Sequence, residues 1–448
     1  MHKEALSRVI EENAVWNSAP PLFPILVGLV SKWSNSELAL RTIPWVAGVL
    51  AIPAMFLLAR MFLSQPAALI GSLFLAVAAV QIRYSQEVRE YSLSVLLVIL
   101  LLTSFLYFVE RPTWRRAAGL AVVATVSLLT QYGLALMILA LNGVMVVHLL
   151  RMEAGRKSVL VKWGAIQATL LLVVLVVIQL SLSEQWQPGG LGGGKGRYLE
   201  GGYWADSDPI SAVRFASQGT RSLIEFAFPG LVFALVVYCG VLVAVIPRRK
   251  TLLPFLLGLP FIVFIAVAIL RLYPYLAARQ DLVLTPLIYL VAALGIDYLM
   301  RVDRKFIWVA VVLVQVFRLA VNPTIGYFRS GEKTSLGTVL RPLTEFANPG
   351  DPVYVCNGDD PVIAYYFRAR FPPNPLIVRD LGTGPRDYLD QVDRLVEGHP
   401  RTWLLMDHTC GEVAPLLDHL ARRWEVDHIE ERSPIRLYLV EQSSSAGG

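Results

Sequence analysis

Between residues 44 and 322 the sequence is a succession of apolar runs separated by polar connections. Candidate spans are 44–63, 67–82, 91–109, 116–130, 133–150, 161–182, 228–246, 251–271, 281–299 and 305–322. A helix needs roughly 20 apolar residues to cross a hydrocarbon layer about 30 Å thick. Inside such a layer the backbone must bond to itself, so runs of this kind point to membrane-spanning α-helices. Only 17% of the residues are charged, against about 25% in soluble domains, and the deficit is confined to residues 19–322. The expected architecture is an α-helical polytopic membrane protein. Residues 1–329 form the membrane domain, with an outer or interfacial segment at 1–43 and about ten spans from 44 to 322. Residues 330–448 form a soluble C-terminal domain.

The net charge of +6 matters through its distribution. One set of connections is basic: Arg60; Arg111, Arg115 and Arg116; Arg151, Arg156, Lys157 and Lys162; Arg248, Arg249 and Lys250; Arg301, Arg304 and Lys305. The positive-inside rule puts these in the cytoplasm. The alternate set then faces outside: residues 83–90, the Gln131–Tyr132 turn, the loop 183–227, residues 272–280 and the tail. Residues 1–18 contain no apolar h-region, so no cleavable signal peptide is expected. The expected location is a cytoplasmic (inner) membrane, with the C-terminal domain extracytoplasmic.

Within that frame the stretch "RYSQEVREYSL" (83–93) is out of place. Ionisable residues at a helix mouth also serve as interfacial anchors or ion-paired caps. Arg83 and Arg89, however, carry the wrong sign for the outer side, and charges placed against that preference usually face a polar cavity. If the stretch opens a helix, Tyr84, Glu87 and Tyr91 share one face, flanked by Gln86 and Arg89. A second basic group against the rule is Arg279 in "RLYPYLAARQDLVLTP" (271–286), near the aromatic pair Tyr273 and Tyr275. A guanidinium suits a phosphate headgroup, because it gives two parallel charge-assisted hydrogen bonds.

Other segments leave alternatives open. "APPLFPILVGLVSKW" (19–33) is short for a span and suits an interfacial or re-entrant helix; if it spans, residues 1–18 are cytoplasmic, and if it lies flat they are outside. The glycine- and aromatic-rich loop 184–209 is either a mobile substrate-gating loop or a linker. In the tail, alternating helix and strand patterns predict a small α/β domain with a partly parallel sheet. There Asp359, Asp360, Asp407 and His408 are either a site at strand ends or turn and cap residues. Cys356 and Cys410 are either a disulfide or two buried thiols. The six histidines are scattered without ligand spacing, so no metal is expected.

"APPLF" (19–23), "NSELALRTIPWVAGVLAIP" (35–53), "YSQEVREYSL" (84–93), "LTQYGLALMI" (129–138), "YPYLAARQDLVLTP" (273–286) and "RPLTEFANPGDPVYV" (341–355) follow one another in order. In that order they resemble the membrane glycosyltransferases of the GT-C fold, in the protein-mannosyltransferase/aminoarabinose-transferase-like superfamily. The resemblance implies transfer of a sugar from a polyprenyl-phosphate carrier to an extracytoplasmic acceptor with inversion at the anomeric carbon. Its partners would be that lipid donor and the bilayer, with no cofactor and no nucleic acid. It implies a donor phosphate held by Arg279 and Arg89, with Tyr273 and Tyr84 beside them. Glu87 would orient an arginine or meet the acceptor, and Gln86, Tyr91, Gln131 and Tyr132 are further candidates.

The departure lies at the amino terminus. Family members begin with a membrane helix followed by an acidic pair whose leading carboxylate is the expected base. Here Lys3-Glu4 stands in that place, leaving Glu4 as the candidate base. Either the true start lies upstream or the chain is a non-catalytic member. A transporter or flippase of lipid-linked sugars is the alternative from another class. Internal repeats with helices broken at the membrane midplane would mark it; none is visible, and the polar residues gather on one side.

Overall fold

The computed structural model describes residues 20–34, 36–179, 201–205, 208–245, 252–302, 339–348, 350–355, 377–379, 392–406, 413–432 and 435–441. The chain divides into two compact units, Met1–Val321 and Asn322–Gly448. In the first, α1 (Leu22–Ser31) and one helical turn (Glu37–Leu40) lead into α2 (Thr42–Arg60), α3 (Gln65–Val77) and α4 (Ala79–Tyr84). Then come α5 (Tyr91–Glu110), α6 (Trp114–Leu128), α7 (Tyr132–Arg151) and α8 (Arg156–Val177). Beyond residue 200 lie α9 (Pro209–Ala227), α10 (Leu231–Val245) and α11 (Leu253–Ile269). A 3-10 turn (Arg279–Leu284) runs directly into α12 (Thr285–Val302).

Five helices among the described residues are long and apolar enough to cross a membrane: Thr42–Arg60, Tyr91–Glu110, Tyr132–Arg151, Arg156–Val177 and the continuous Arg279–Arg301. The expected span 305–322 lies outside the described residues. Every residue from Asp281 to Asp297 is buried, so α12 is the central helix. Peripheral helices turn apolar side chains outward; on α8, Leu171 and Leu172 are 60% and 65% exposed. Water would penalise such a surface, whereas lipid tails solvate it.

Two sequence expectations need correction. Residues 67–82 are not one helix: Ala78 is extended (φ −63°, ψ 121°), so α3 ends at Val77 and α4 starts anew. Nor do Tyr84, Glu87 and Tyr91 share a helical face. Tyr84 closes α4, residues 85–90 form turns, and Tyr91 opens α5. Four ionisable or amide side chains among those six residues compete with a helical register buried in an apolar bundle.

The first described segment returns to the end it starts from. Ten residues of α1 make about 15 Å, half the hydrocarbon thickness. Its Leu22 N–H donates to Leu129 O at 2.9 Å, at the close of α6. The head of α2 lies at that same end of the bundle, where a Cβ on Gly48 would stand 2.8 Å from Ser85 Cβ and 3.0 Å from Ser92 Oγ.

The opposite end carries basic side chains that satisfy carbonyls at and just past helix C-termini. Arg60 donates to Leu63 O at 2.8 Å and Arg156 to Met152 O at 3.0 Å. Here buried Asp297 ties α12 to α3. Its Oδ1 accepts from the Ser64 amide at 3.2 Å and from the Ser64 hydroxyl, and its Oδ2 pairs with Arg301 at 2.7 Å. Ser64 is the N-cap of α3, so the carboxylate also meets the positive end of that helix dipole. Asp297→Ala leaves the cap donors unmatched and should cost about 2 kcal/mol. A thermal midpoint in detergent lowered by several degrees is the expected result; an unchanged midpoint would show the cap is dispensable.

The second unit holds a five-stranded sheet of order β2-β1-β3-β5-β4. Strands β1 (Val353–Val355), β2 (Ile377–Arg379) and β3 (Arg401–Met406) run parallel, while β4 (Glu425–Arg432) and β5 (Ile435–Glu441) add antiparallel. Alternation at period two sends Val353, Val355, Trp403 and Leu405 to one core. Tyr354, Leu404 and Met406 go to another, as expected for a sheet covered on both faces. Buried Asp351 accepts from Trp403 Nε1 at 3.2 Å and from the Asn348 amide at 2.9 Å. Cys356, Cys410, Asp359, Asp360, Asp407 and His408 lie outside the described residues.

Candidate active site

Three connections converge at the end of the bundle where α1 begins: residues 85–90, Thr130–Gln131 and 270–284. The last is the most contorted. Arg271 and Ala277 adopt φ of 59° and 57°, a region uncommon for residues with a Cβ. Asp281 holds the second bend, its Oδ2 accepting from the amides of Leu276 at 3.0 Å and Ala278 at 3.4 Å. Tyr275 anchors the segment from outside. Its amide donates to Gly202 O at 2.8 Å, and its hydroxyl meets Thr220 Oγ1 of α9 at 2.9 Å.

Tyr273 is the hub of the three connections. Its hydroxyl donates to Gln280 O at 3.2 Å and accepts from the Gln131 side chain. Gly133 makes room for it: a Cβ there would lie 2.7 Å from the hydroxyl. Burial first, then the charges of Asp281, Tyr91 and Glu90, push its phenol well above the ordinary range, so it stays a neutral donor. Gln131 is 5% exposed and its Oε1 has no hydrogen-bond partner among the described residues; the same is true of Asp281 Oδ1. Two buried acceptors without donors are unusual in a finished core.

The charges stand around Tyr91. The Arg279 guanidinium lies 5.9 Å from the Tyr91 ring centroid, and Tyr84 meets Tyr91 edge-on at 5.3 Å. Arg83 pairs with Glu87 at 3.3 Å and sits 5.9 Å from the Tyr84 centroid. Glu90 is 6% exposed. Burial raises its carboxyl above the ordinary range, against its own backbone amide, Arg89 and Arg279, which lower it, and with Glu87, which raises it. The folded chain therefore holds this proton more tightly than the unfolded one. The stability it contributes is present below the ordinary glutamate range and is lost as pH rises through the raised value.

Of the residues expected from sequence, Tyr84, Tyr91, Gln131, Tyr273 and Arg279 are brought together. Arg89 lies within electrostatic reach of Glu90. Gln86 sits in the turn, its amide donating to Arg83 O at 3.0 Å, and Tyr132 opens α7 beside Gln131. Glu87 is half-exposed and engaged by Arg83. Glu4 lies outside the described residues. Sequence reasoning passed over Glu90 and Asp281. The available signal was a carboxylate immediately before an apolar run in one case and just inside it in the other. No group of three or more metal-ligating side chains occurs among the described residues.

Residues 18–181 match the family model of dolichyl-phosphate-mannose-protein mannosyltransferase. No curated protein sequence matches the chain. Among solved structures, ArnT from Cupriavidus metallidurans in the apo state matches with a TM-score of 0.54 at 13% identity, covering 97% of this chain and 92% of that one. The same protein bound to undecaprenyl phosphate matches with a TM-score of 0.53 at 14% identity, covering 94% and 87%. At such identities the structural likeness is one of fold. The family model matches residues 18–181, and the structural likeness extends an ArnT-like fold over nearly the whole chain.

Proposed function

We propose that this chain transfers a sugar from a polyprenyl-phosphate carrier to an extracytoplasmic acceptor with inversion at the anomeric carbon. The observation that carries the reading is Arg279 stacked over Tyr91 at the same bundle end as Arg89, Glu87 and Glu90. That ArnT has been crystallised with undecaprenyl phosphate favours a lipid phosphate as the ligand of this end.

In the reaction, a carboxylate accepts the acceptor hydroxyl's proton as its oxygen bonds to the anomeric carbon. The carbon–oxygen bond to the carrier phosphate breaks, and its electron pair leaves on that phosphate. The leaving group is already a stable anion, so it needs a cation more than a proton. Arg279 and Arg89 supply that charge, Tyr84 and Tyr273 wall the phosphate, and Glu4 is the proposed base. Glu87 holds Arg83 or meets the acceptor. Incubation with radiolabelled polyprenyl-phosphate sugar tests the reading. A new glycosidic bond is expected; movement of the intact lipid across the bilayer without one would mark a transporter.

The proposal requires the site end and the C-terminal domain to be extracytoplasmic and the basic connections cytoplasmic. Single cysteines at Ser217 on α9 and Ala154 in the α7–α8 connection test this, with the three native cysteines removed. Ala154 is preferred to Gly155, whose φ of 76° disfavours a side chain. An impermeant thiol reagent on intact cells should label position 217 and not 154. Labelling at both, or the reverse, would break the shared-site arrangement.

A further inference from the structure

Asp281 is 0% exposed, and its two oxygens are treated differently. Oδ2 accepts from the amides of Leu276 at 3.0 Å and Ala278 at 3.4 Å. Oδ1 has no hydrogen-bond partner among the described residues. Desolvating a carboxyl group and leaving one oxygen unmatched is costly. An apolar side chain would fill the same volume without that cost, so packing alone does not account for the residue. Costs of this kind persist where the group does something else, and here that must be done by the oxygen that is bonded.

What Oδ2 holds is the start of the 3-10 turn. Ala278 is the N-cap of that turn, Arg279 its first residue and Asp281 its third. A side chain at the third position that reaches back to the N-cap amide is the returning half of a capping box. The Asp281 amide closes the same turn, donating to Ala278 O at 2.9 Å. Just upstream, Ala277 has a φ of 57°, uncommon for a residue with a Cβ, and the bond to Leu276 spans that bend. The Arg279 backbone is thus bracketed by contacts to one carboxyl group on one side and by the buried helix α12 on the other. From there its guanidinium lies 5.9 Å from the centroid of Tyr91, at the head of α5.

We propose that Asp281 is the positioning residue of Arg279: by capping the turn it sets where the guanidinium meets the carrier phosphate as the sugar leaves. The inference rests on the lipid-phosphate reading above and deepens it. Asp281 acts as an acceptor of backbone hydrogen bonds, not as a charge felt by the substrate. In the transfer step the carrier phosphate starts as a singly charged diester. The bond from its oxygen to the anomeric carbon breaks, and the electron pair left on that oxygen adds a second negative charge. Charge on the phosphate therefore grows toward the transition state, and a well-placed guanidinium stabilises that state more than the bound donor. Misplacing it by about 1 Å can cost about 100-fold, and the loss falls on kcat more than on KM.

The test is transfer from a radiolabelled polyprenyl-phosphate sugar by the full-length chain, with rates referred to monodisperse protein. Asp281→Ala should lower kcat by about 10- to 100-fold, with a smaller change in KM. Asp281→Asn should recover most of that loss, because its carbonyl oxygen still accepts from both amides; a role through charge would leave it as impaired as alanine. Asp281→Glu keeps the charge but carries its oxygens one carbon further out, so it should be impaired too, and it replaces Asp281→Ala in every comparison if that variant does not accumulate. In an Arg279→Ala background the same substitution should add nothing to the loss already present, whereas a structural role independent of Arg279 would add its full factor. Wild-type kcat in Asp281→Ala or Asp281→Glu, no recovery in Asp281→Asn, or additive losses in the double variant overturns the inference and leaves the phosphate reading standing. If the wild type forms no glycosidic bond, or Arg279→Ala transfers at the wild-type rate, the phosphate reading falls and this inference with it.

Discussion

Replacing Arg279 by alanine is expected to reduce transfer from a radiolabelled polyprenyl-phosphate sugar by about 100-fold or more, the usual cost of removing one preorganised charge stabiliser. The guanidinium opens the 3-10 turn that leads into the central helix, and it lies 5.9 Å from the Tyr91 centroid. The backbone segment that carries it is tied down by Asp281 and Tyr275, so on the proposed reading a departing phosphate would meet its charge without a large rearrangement. Arg279→Lys should recover part of the rate, since it keeps the charge and loses the bidentate geometry. Both variants should elute as monodisperse protein and melt near the wild type, because the side chain is not part of the packed core. Transfer at the wild-type rate in Arg279→Ala would take this residue out of the phosphate site.

Gly240→Val should prevent stable accumulation of the protein. α10 and α12 pack backbone against backbone: a Cβ on Gly240 would overlap the carbonyl of Val291, and one on Gly295 would overlap the carbonyl of Val236. Close approach through small residues is how helices gain packing in a lipid solvent, where no hydrophobic force drives them together. Forcing them apart should cost about 3 kcal/mol or more. It would also shift the helix that carries Arg279, Asp281 and Asp297. Gly119→Val is the matched control, since nothing lies within 4 Å of a Cβ placed there. Fluorescence-detected size exclusion should show loss of the monodisperse peak for Gly240→Val alone. A normal peak and midpoint for that variant would refute the close-contact account.

The apolar runs were enough to place α2, α5, α7, α8 and α12, because a span's length is dictated by the bilayer and not by its neighbours. α9 was not legible. Its exposed face carries Arg214, Ser217, Gln218, Arg221 and Glu225, while Leu223, Ile224 and Ala227 are buried. Such a helix is too polar to register as a span and was absorbed into the loop around it. The break at Ala78 was equally hidden, since alanine carries no signal for an extended residue.

At the candidate site, the motifs singled out in the sequence supply several of the side chains that meet. Arginines in the connections that otherwise lack basic residues are conspicuous wherever they fold, and Tyr84, Tyr91, Tyr273 and Gln131 accompany them in short motifs. Only the tertiary structure decided which of these side chains meet and which carboxyl loses its water. Glu87 and Glu90 are three residues apart in one turn, yet one stays half-exposed against Arg83 and the other is buried beside Arg279. That difference comes from the packing of residues 270–284, about 180 positions or more away in the chain, against the head of α5. Charge type is written locally, whereas desolvation is the work of whatever the rest of the chain brings alongside.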